Sequence, residues 1–299
     1  MINSFQNILE TVKYTSGKKT ISVSMANSVS VLKAIAQVEE RNIANALLVG
    51  ETDKIKEAAK QINFNVKDEN IIHAETPEEI AQKSVSLIVE GRADILMKGN
   101  ISTPILMKAV LNKENGLRNG GVLSHVAVVE VPTYPKLLTF SDGGINIAPD
   151  MQTKESILLN MLKVTQKFKI DIPKVGILCP IEKVNPKIQA TLDAAELQNR
   201  AENGEFGDVI VEGPIAMDVI LSKKAAEKKG LVSKVAGDTD AVLVPEITTG
   251  NGIIKSLIYL ANAKVGGVVV GAKVPIILLS RSDKPEEKIN SILLSVLIG

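Results

Sequence analysis

The sequence predicts an α/β protein of the doubly wound kind, divided into two domains. Short runs rich in Val, Ile and Leu recur along the chain, and longer stretches whose apolar residues return every three or four positions separate them. Most of the short runs are uniformly apolar, as strands covered by helices on both faces must be. The length, 299 residues, is about twice the commonest domain size.

Taken in order, the pattern predicts a helix over 28–41, a strand over 45–50 (NALLVG) and a helix over 52–62. A helix over 77–90 is announced by Thr76-Pro77-Glu78-Glu79, which sets a capping hydroxyl, a proline and two acids in one first turn. Strand 93–99 (ADILMKG) and helix 103–113 come next, then strands 125–131 (HVAVVEV) and 137–144 (LLTFSDGG). A domain boundary falls near Asn146 to Asp150, where the second of these strands gives way to a long helix over 152–168. Strand 174–180, helix 186–202, strand 208–214, helix 216–229, strand 241–246 and helix 249–262 continue the alternation. Strands 266–272 and 275–280 and a helix over 285–297 complete it, the last opening on Asp283-Lys284-Pro285-Glu286 with capping-box spacing.

Composition excludes several classes. Lys plus Arg total 35 against 34 for Asp plus Glu, so no surplus of positive charge exists for a nucleic acid or an anionic membrane. Any anion must be held locally. One cysteine, Cys179, rules out an internal disulfide, and with two histidines it cannot furnish a structural zinc set. The amino terminus carries no signal-peptide pattern, and the most apolar region, 265–280, is broken by glycines, Lys273 and Pro275. A cytoplasmic protein is expected.

In doubly wound sheets, ligands bind beyond the carboxyl ends of strands, where loops and helix amino termini converge. Lys98-Gly99-Asn100, with Ser102 and Thr103 opening the next helix, reads there as an anion cradle or as an ordinary turn capped by Thr103. Ser141-Asp142-Gly143-Gly144-Ile145-Asn146 sets polar groups and two glycines at another strand end, and reads equally as a tight turn. Gly213-Pro214 and Thr249-Gly250-Asn251-Gly252 fit the same pattern, the second just ahead of a helix bearing Lys255. Most informative is Ser280-Arg281-Ser282-Asp283, after an apolar strand and before a helix opening on Glu286 and Glu287. An arginine at such a lip offers five fixed donors matched to phosphate; the alternative is pairing with Asp283 or Glu287.

Other residues weigh less. His125, after Ser124 at the head of an apolar strand, reads as packed or capping rather than as a base, and His73 has no suggestive neighbour. Cys179 ends an apolar strand and is expected to be buried and inert. The lysine pairs 223–224 and 228–229 read as a solvated helix face. The dinucleotide, P-loop and nucleophile-elbow signatures are absent.

Across these strand ends the chain resembles the phosphate acyltransferase, or phosphotransacylase, family, and its phosphate butyryltransferase branch in particular. The likeness rests on LMKGNISTPILMKAVLNKENGLR at 96–118, LSHVAVVEVP at 123–132, TFSDGGINIAPD at 139–150 and EGPIAMDVILSKKAA at 212–226. It continues through SKVAGDTDAVLVPEITTGNGIIKSLIYLANA at 233–263 and VGAKVPIILLSRSD at 270–283, which contains Gly271. The resemblance implies two doubly wound three-layer α/β domains with an interdomain cleft, isocitrate/isopropylmalate dehydrogenase-like, with 1–148 and 275–299 forming the first domain and 149–274 the second. It implies acyl transfer between CoA and phosphate with no metal, no permanently bound cofactor and no acyl-enzyme. Acyl-CoA, inorganic phosphate and acyl phosphate would be the partners, and the protein a homo-oligomer, dimer or higher.

Residue by residue, Ser280 and Arg281 match the family's reacting-centre serine and arginine, and Glu287 falls where acetyl-specific members carry a catalytic aspartate. Lys108 lies near an arginine of those members that helps hold CoA. The likeness extends substrate contacts to Lys98, Gly99, Thr103, Ser124, Asp142, Gly143, Asn146, Gly213, Gly250, Asn251, Lys255 and Gly271. In such a site, donors aimed at the carbonyl oxygen and the departing phosphate stabilise developing charge. Two competing readings share the architecture. One is a metal- and NAD(P)-dependent decarboxylating dehydrogenase of the isocitrate or isopropylmalate type, for which Asp238 and Asp240 would be candidate ligands. The other is a non-catalytic two-lobed anion-binding protein.

Overall fold

The structure, a computed structural model, describes residues 1–14, 17–278 and 283–299. The chain opens with α1 (Phe5–Lys13), which buries Phe5, Ile8 and Val12 at helical spacing. There follow β1 (Lys19–Ser24), α2 (Val29–Glu40), β2 (Ala44–Gly50), α3 (Thr52–Lys60), β3 (Ile71–His73), α4 (Pro77–Val89), β4 (Ile95–Lys98) and α5 (Thr103–Val110). Thr76 caps α4 as its signature predicts: Oγ1 accepts from Glu79 N at 3.2 Å, and Glu79 Oε2 from Glu75 N at 3.1 Å.

The middle of the chain holds β5 (Ser124–Glu130), β6 (Leu138–Ser141), α6 (Met151–Gln166), β7 (Lys174–Leu178), α7 (Gln189–Glu202) and β8 (Ile210–Ile215). α8 (Met217–Leu221), α9 (Lys223–Lys228), β9 (Ala241–Leu243) and α10 (Ile247–Leu260) complete it, and β10 (Lys264–Val270), β11 (Ile276–Ile277) and α11 (Pro285–Ile298) end the chain. The single helix expected over 216–229 is two, because Ser222 is extended and its Oγ accepts from Ala225 N at 3.2 Å to start α9. α1, β1 and β3 were not expected. β1 (KTISVS) escapes a hydrophobicity reading because two of its four buried residues are serines, and Ser22 hides its hydroxyl by donating to Ser84 O at 3.0 Å.

The chain forms two compact units, one of residues 1–4 and 122–265 (the central unit), the other of 5–121 and 266–299 (the terminal unit). The boundaries expected from the sequence lay after 148 and 274. β5 and β6 cluster with the central unit because β6 pairs in parallel with β9, Phe140 opposite Val242, and most of β10 clusters with the terminal unit, where Val269 pairs with Ile276 of β11. Within the terminal unit the strand order is β3-β2-β1-β4-β11-β10, and within the central unit β5-β6-β9-β7-β8. All these pairs are parallel except β10 with β11 and β5 with β6. Each unit therefore contains one antiparallel pair, a departure from uniform doubly wound pairing.

The central unit's core gathers Phe140, Val242, Val219 and Ile220 on one side of its sheet and Ile157, Leu158, Leu197 and Leu243 on the other. Burying one such side chain contributes about 1.5–3 kcal/mol, which holds the strand ends, and the loops they carry, in place. Among the described residues, no helix is long and apolar enough to cross a membrane.

Candidate active site

In the central unit the carboxyl ends of the parallel strands carry one tightly built loop. Asp142, 2% exposed, follows β6 directly and accepts five hydrogen bonds: from the backbone N–H of His125, Gly144, Ile145 and Asn146 at 3.1, 2.7, 2.9 and 3.2 Å, and from Asn146 Nδ2 at 2.7 Å. Those amides would otherwise form an anion-binding nest. The chain's own carboxylate fills it. Asp142 thus shapes the loop over 142–146, and a ligand must meet the loop's outer face. Asn146 ties the loop down further by donating to Leu123 O at 2.8 Å.

The two glycines of this loop have separate reasons. A Cβ on Gly143 would stand 2.7 Å from Ile254 Cδ1 and 3.2 Å from the Gly250 carbonyl carbon, while one on Gly250 would stand 2.7 Å from Asp142 O. Gly143 and Gly250 therefore let the loop lie against the first turn of α10. Gly144 makes room for His125, whose ring would be 3.1 Å from an added Cβ. Gly250 and Asn251 sit inside α10 rather than ahead of it, because Glu246 caps the helix earlier. Its carboxylate accepts from Thr248 N and Thr249 N, each at 2.7 Å, and from the Thr249 hydroxyl. The Thr249 hydroxyl, helped by the two amides, pulls the Glu246 carboxyl down to about 2. Asn251 Nδ2 donates to Gly143 O at 3.3 Å, and Lys255 lies half-buried farther along the helix. Asp142, Gly143, Asn146, Gly250 and Asn251 thus form one cluster.

Two predicted contacts stand elsewhere in this unit. Ser124 is fully buried, and its Oγ accepts from Asn160 Nδ2 of α6 at 3.0 Å, while the same amide donates to Val122 O at 2.8 Å. Gly213 lies within β8 rather than past its end, where a Cβ would meet Ile177 Cβ at 2.7 Å and Ala194 Cβ at 3.0 Å. It borders a cavity of about 560 Å³ shared with Glu182, Glu212, Ser233 and Lys234, on the far side of β9 and β7 from β6 and its Asp142 loop.

In the terminal unit, Lys98 ends β4, 9% exposed, opposite Ser24 of β1. A Cβ on Gly99 would stand 2.5 Å from the carbonyl oxygens of both Ser24 and Met25, so only glycine lets the two strand ends meet. Gly99 N and Asn100 N donate to those oxygens at 2.8 and 2.9 Å. Thr103 is exposed and begins α5, but the cap position belongs to Ser102, so the capping role anticipated for Thr103 is corrected. Lys108 borders a cavity of about 230 Å³ between α4 and α5, with Gln82, Val85, Ile105 and Asn112. Gly271 takes φ +95°, which favours glycine, beside the bridge from Arg118 to Ala272.

Ser280 and Arg281 lie outside the described residues. Glu287, in the first turn of α11, accepts from Lys284 N at 3.0 Å through Oε2. Lys284, not Asp283, therefore holds the N-cap position, since Pro285 occupies the first helical turn one residue later than the capping-box spacing suggested.

Several readings of single residues resolve by contact. Cys179 is buried and its thiol is pushed up to about 11, chiefly by burial. Asp238 and Asp240, the candidate metal ligands of the dehydrogenase reading, both take the Lys136 ammonium at 2.7 Å, and Asp240 also accepts from Lys174 N at 2.8 Å. They precede β9, at the rim opposite the Asp142 loop. His73, which lacked a neighbour in sequence, has Thr52 Oγ1 at 3.1 Å from its Nδ1. Sequence reasoning missed Glu246 and Asn160; an acid just before Thr248-Thr249 was a signal for the first, and nothing local marks the second.

A sequence model described as Phosphate acetyl/butaryl transferase matches residues 74–296. The chain is 40% identical over 299 residues to the phosphate butyryltransferase of Clostridium acetobutylicum, covering 100% of this chain and 99% of the relative. A branched-chain phosphotransacylase from Enterococcus faecalis superposes with a TM-score of 0.82 at 33% identity, over 94% of this chain and 98% of that one. These findings overturn the expected isocitrate/isopropylmalate dehydrogenase-like fold. A dehydrogenase that does match, 4-hydroxythreonine-4-phosphate dehydrogenase from Burkholderia phymatum, reaches a TM-score of 0.55 at 12% identity and shares the α/β fold alone. Periodicity specifies layers of strand and helix, and many strand orders satisfy the same layers, so the finer likeness had no support in the pattern. With three quarters of its length matched by the family's sequence model and a full-length relative at 40% identity, the chain belongs to the phosphate acetyl/butaryl transferase family.

Proposed function

We propose that the protein reversibly transfers a short acyl group, butyryl or branched C4–C5, between coenzyme A and inorganic phosphate. The observation that carries this reading is the full-length identity with a phosphate butyryltransferase, reinforced by the branched-chain phosphotransacylase structure. In the direction that makes acyl-CoA, the CoA sulfur attacks the acyl phosphate carbonyl, a C–S bond forms, and the C–O bond to phosphate breaks. The phosphate departs with the electron pair, and the thiol proton passes to a base. Arg281 would meet the developing charge on carbonyl and phosphate, Ser280 would hydrogen-bond the sulfur or the tetrahedral oxygen, and Glu287 would take the proton. Lys98 and the outer face of the Asp142 loop, with Asn251, would hold phosphate and CoA. Both substrates are bound together, CoA serves as substrate rather than resident cofactor, and the protein works as a cytoplasmic homo-oligomer.

The test is phosphate-dependent release of free CoA from a panel of acyl-CoAs, C2 to C8 and branched. Turnover highest at C4 or branched C4–C5, with intersecting double-reciprocal plots, is expected. Silence across the panel overturns the reading, faster turnover of acetyl-CoA overturns the chain-length preference, and parallel plots or a trapped acyl-protein overturn the direct transfer.

A further inference from the structure

His125 lies at the head of β5, and in a uniformly parallel sheet the heads of strands lie at the rim away from the ligand. β5 is antiparallel to β6, however, with Ala127 opposite Phe140, and the same register brings His125 level with Asp142. The start of β5 therefore shares a rim with the carboxyl ends of β6, β9 and β7. A local apolar run cannot show this, because the sense of a strand is defined only against its partner.

The segment is held residue by residue. Asn160 Nδ2 of α6 donates to Val122 O at 2.8 Å and to Ser124 Oγ at 3.0 Å, and Asn146 Nδ2 donates to Leu123 O at 2.8 Å. His125 N donates to Asp142 Oδ2 at 3.1 Å, and Ser141 Oγ donates to His125 O at 3.0 Å. The imidazole itself lies against the loop: an added Cβ on Gly144 would come within 3.1 Å of its Cγ and 3.3 Å of its Nδ1. A half-buried ring packed in this way is ordered before any ligand arrives, so binding costs little further entropy.

The loop has few donors of its own to offer. The amides of Gly144, Ile145 and Asn146 all go to Asp142, both side-chain N–H groups of Asn146 go to Leu123 O and Asp142, and one from Asn251 goes to Gly143 O. Asp142 and His125 are the ionisable residues of 122–126 and 141–146, and the first is a buried carboxylate already taken by five donors. An anion meeting the outer face of this loop thus needs a donor from beside it. Imidazole supplies an N–H whether neutral or protonated, and phosphate is a strong acceptor.

We propose that His125 binds the phosphate substrate, its ring N–H donating to a phosphate oxygen at the outer face of the 142–146 loop. The inference rests on the acyl-transfer reading above and adds a phosphate ligand to it. The same contact serves in both directions, since the phosphate that leaves acyl phosphate occupies the place from which inorganic phosphate attacks.

The experiment compares wild type with His125→Phe, His125→Asn and His125→Gln, reading thermal unfolding with and without inorganic phosphate and the KM values for phosphate and butyryl-CoA. His125→Phe keeps a ring against Gly144, so its phosphate-free melting temperature should stay near that of wild type. Its phosphate-induced rise should shrink, and its KM for phosphate should increase on the order of 10-fold or more, the loss of one hydrogen bond to a charged group, with the butyryl-CoA KM unchanged. At least one of the two amide variants, which restore an N–H, should recover part of the phosphate affinity. Unchanged phosphate KM and phosphate-induced rise in His125→Phe would make the ring packing alone and overturn the proposal; His125→Leu repeats the comparison if the phenylalanine variant does not fold. A change confined to kcat or to the butyryl-CoA KM, or no recovery in either amide variant, overturns it too. A wild type without a phosphate-induced rise overturns it whatever the turnover, whereas a wild type that shows the rise and releases no CoA is the failure of the acyl-transfer reading alone.

Discussion

Gly143 and Gly250 meet backbone to backbone: a Cβ on Gly250 would stand 3.0 Å from Gly143 Cα. The loop after β6 and the first turn of α10 can approach this closely only because neither residue has a side chain. Gly250→Ala should therefore push the loop off the helix and destabilise the protein by about 1–3 kcal/mol, with a parallel fall in turnover. Gly252→Ala is the control. Nothing lies within 4 Å of its added Cβ, so it should be neutral or stabilise by about 0.4–1 kcal/mol, as urea unfolding of the three proteins will show.

Asp142 is the anion of its own loop. Asp142→Asn keeps the size but removes the charge and gives the amide two donors facing four backbone N–H groups. A loss of at least about 1.5 kcal/mol in unfolding free energy is expected, together with raised KM values, because the loop's outer face shifts. An unchanged stability with lost activity would instead make Asp142 a direct ligand.

Glu246 ties acid sensitivity to this same helix. Its folded value of about 2 lies below the ordinary 4.5, so the carboxylate stabilises the fold fully above pH 4.5, and that contribution is lost as pH falls toward 2. Glu246→Gln should cost about 0.5–2 kcal/mol at pH 7, the worth of a cap, and should narrow its gap from wild type between pH 4.5 and 2. Denaturant midpoints across that range check the sign; a constant gap would refute it.

On the proposed mechanism, in which Arg281 would be a donor to developing charge, Arg281→Gln should slow turnover by about 10²-fold to 10³-fold with little change in melting temperature. Loss of a surface ion pair would instead cost about 0.2–1 kcal/mol of stability and spare the rate. Glu287→Gln retains an acceptor for Lys284 N, so the helix start survives while a proton acceptor is lost. A rate drop of about 10²-fold or more without melting change is expected; Glu286→Gln on the same turn should be silent.

Much of this protein is written in local pattern. Thr76-Pro77-Glu78-Glu79 foretold the start of α4, and the apolar runs foretold β2, β4, β5 and β7, because capping and strand burial depend on residues close in sequence. Motifs spread from residue 96 to 283 carried the family. Tertiary structure alone decided the rest. β1 is a strand because Ser22 finds Ser84 across 62 positions; Asp142 is spent on amides of its own loop and of His125; Asp238 and Asp240 belong to Lys136 and Lys174 rather than to a metal. The burial of Lys288 is of the same kind, since α11 buries every residue from Lys288 to Val296 and nothing in the local sequence marks its lysine for the interior. Periodicity reports which face of an element is apolar. Which partner satisfies a buried polar group depends on contacts between segments distant in the chain, and those exist only once the chain has folded.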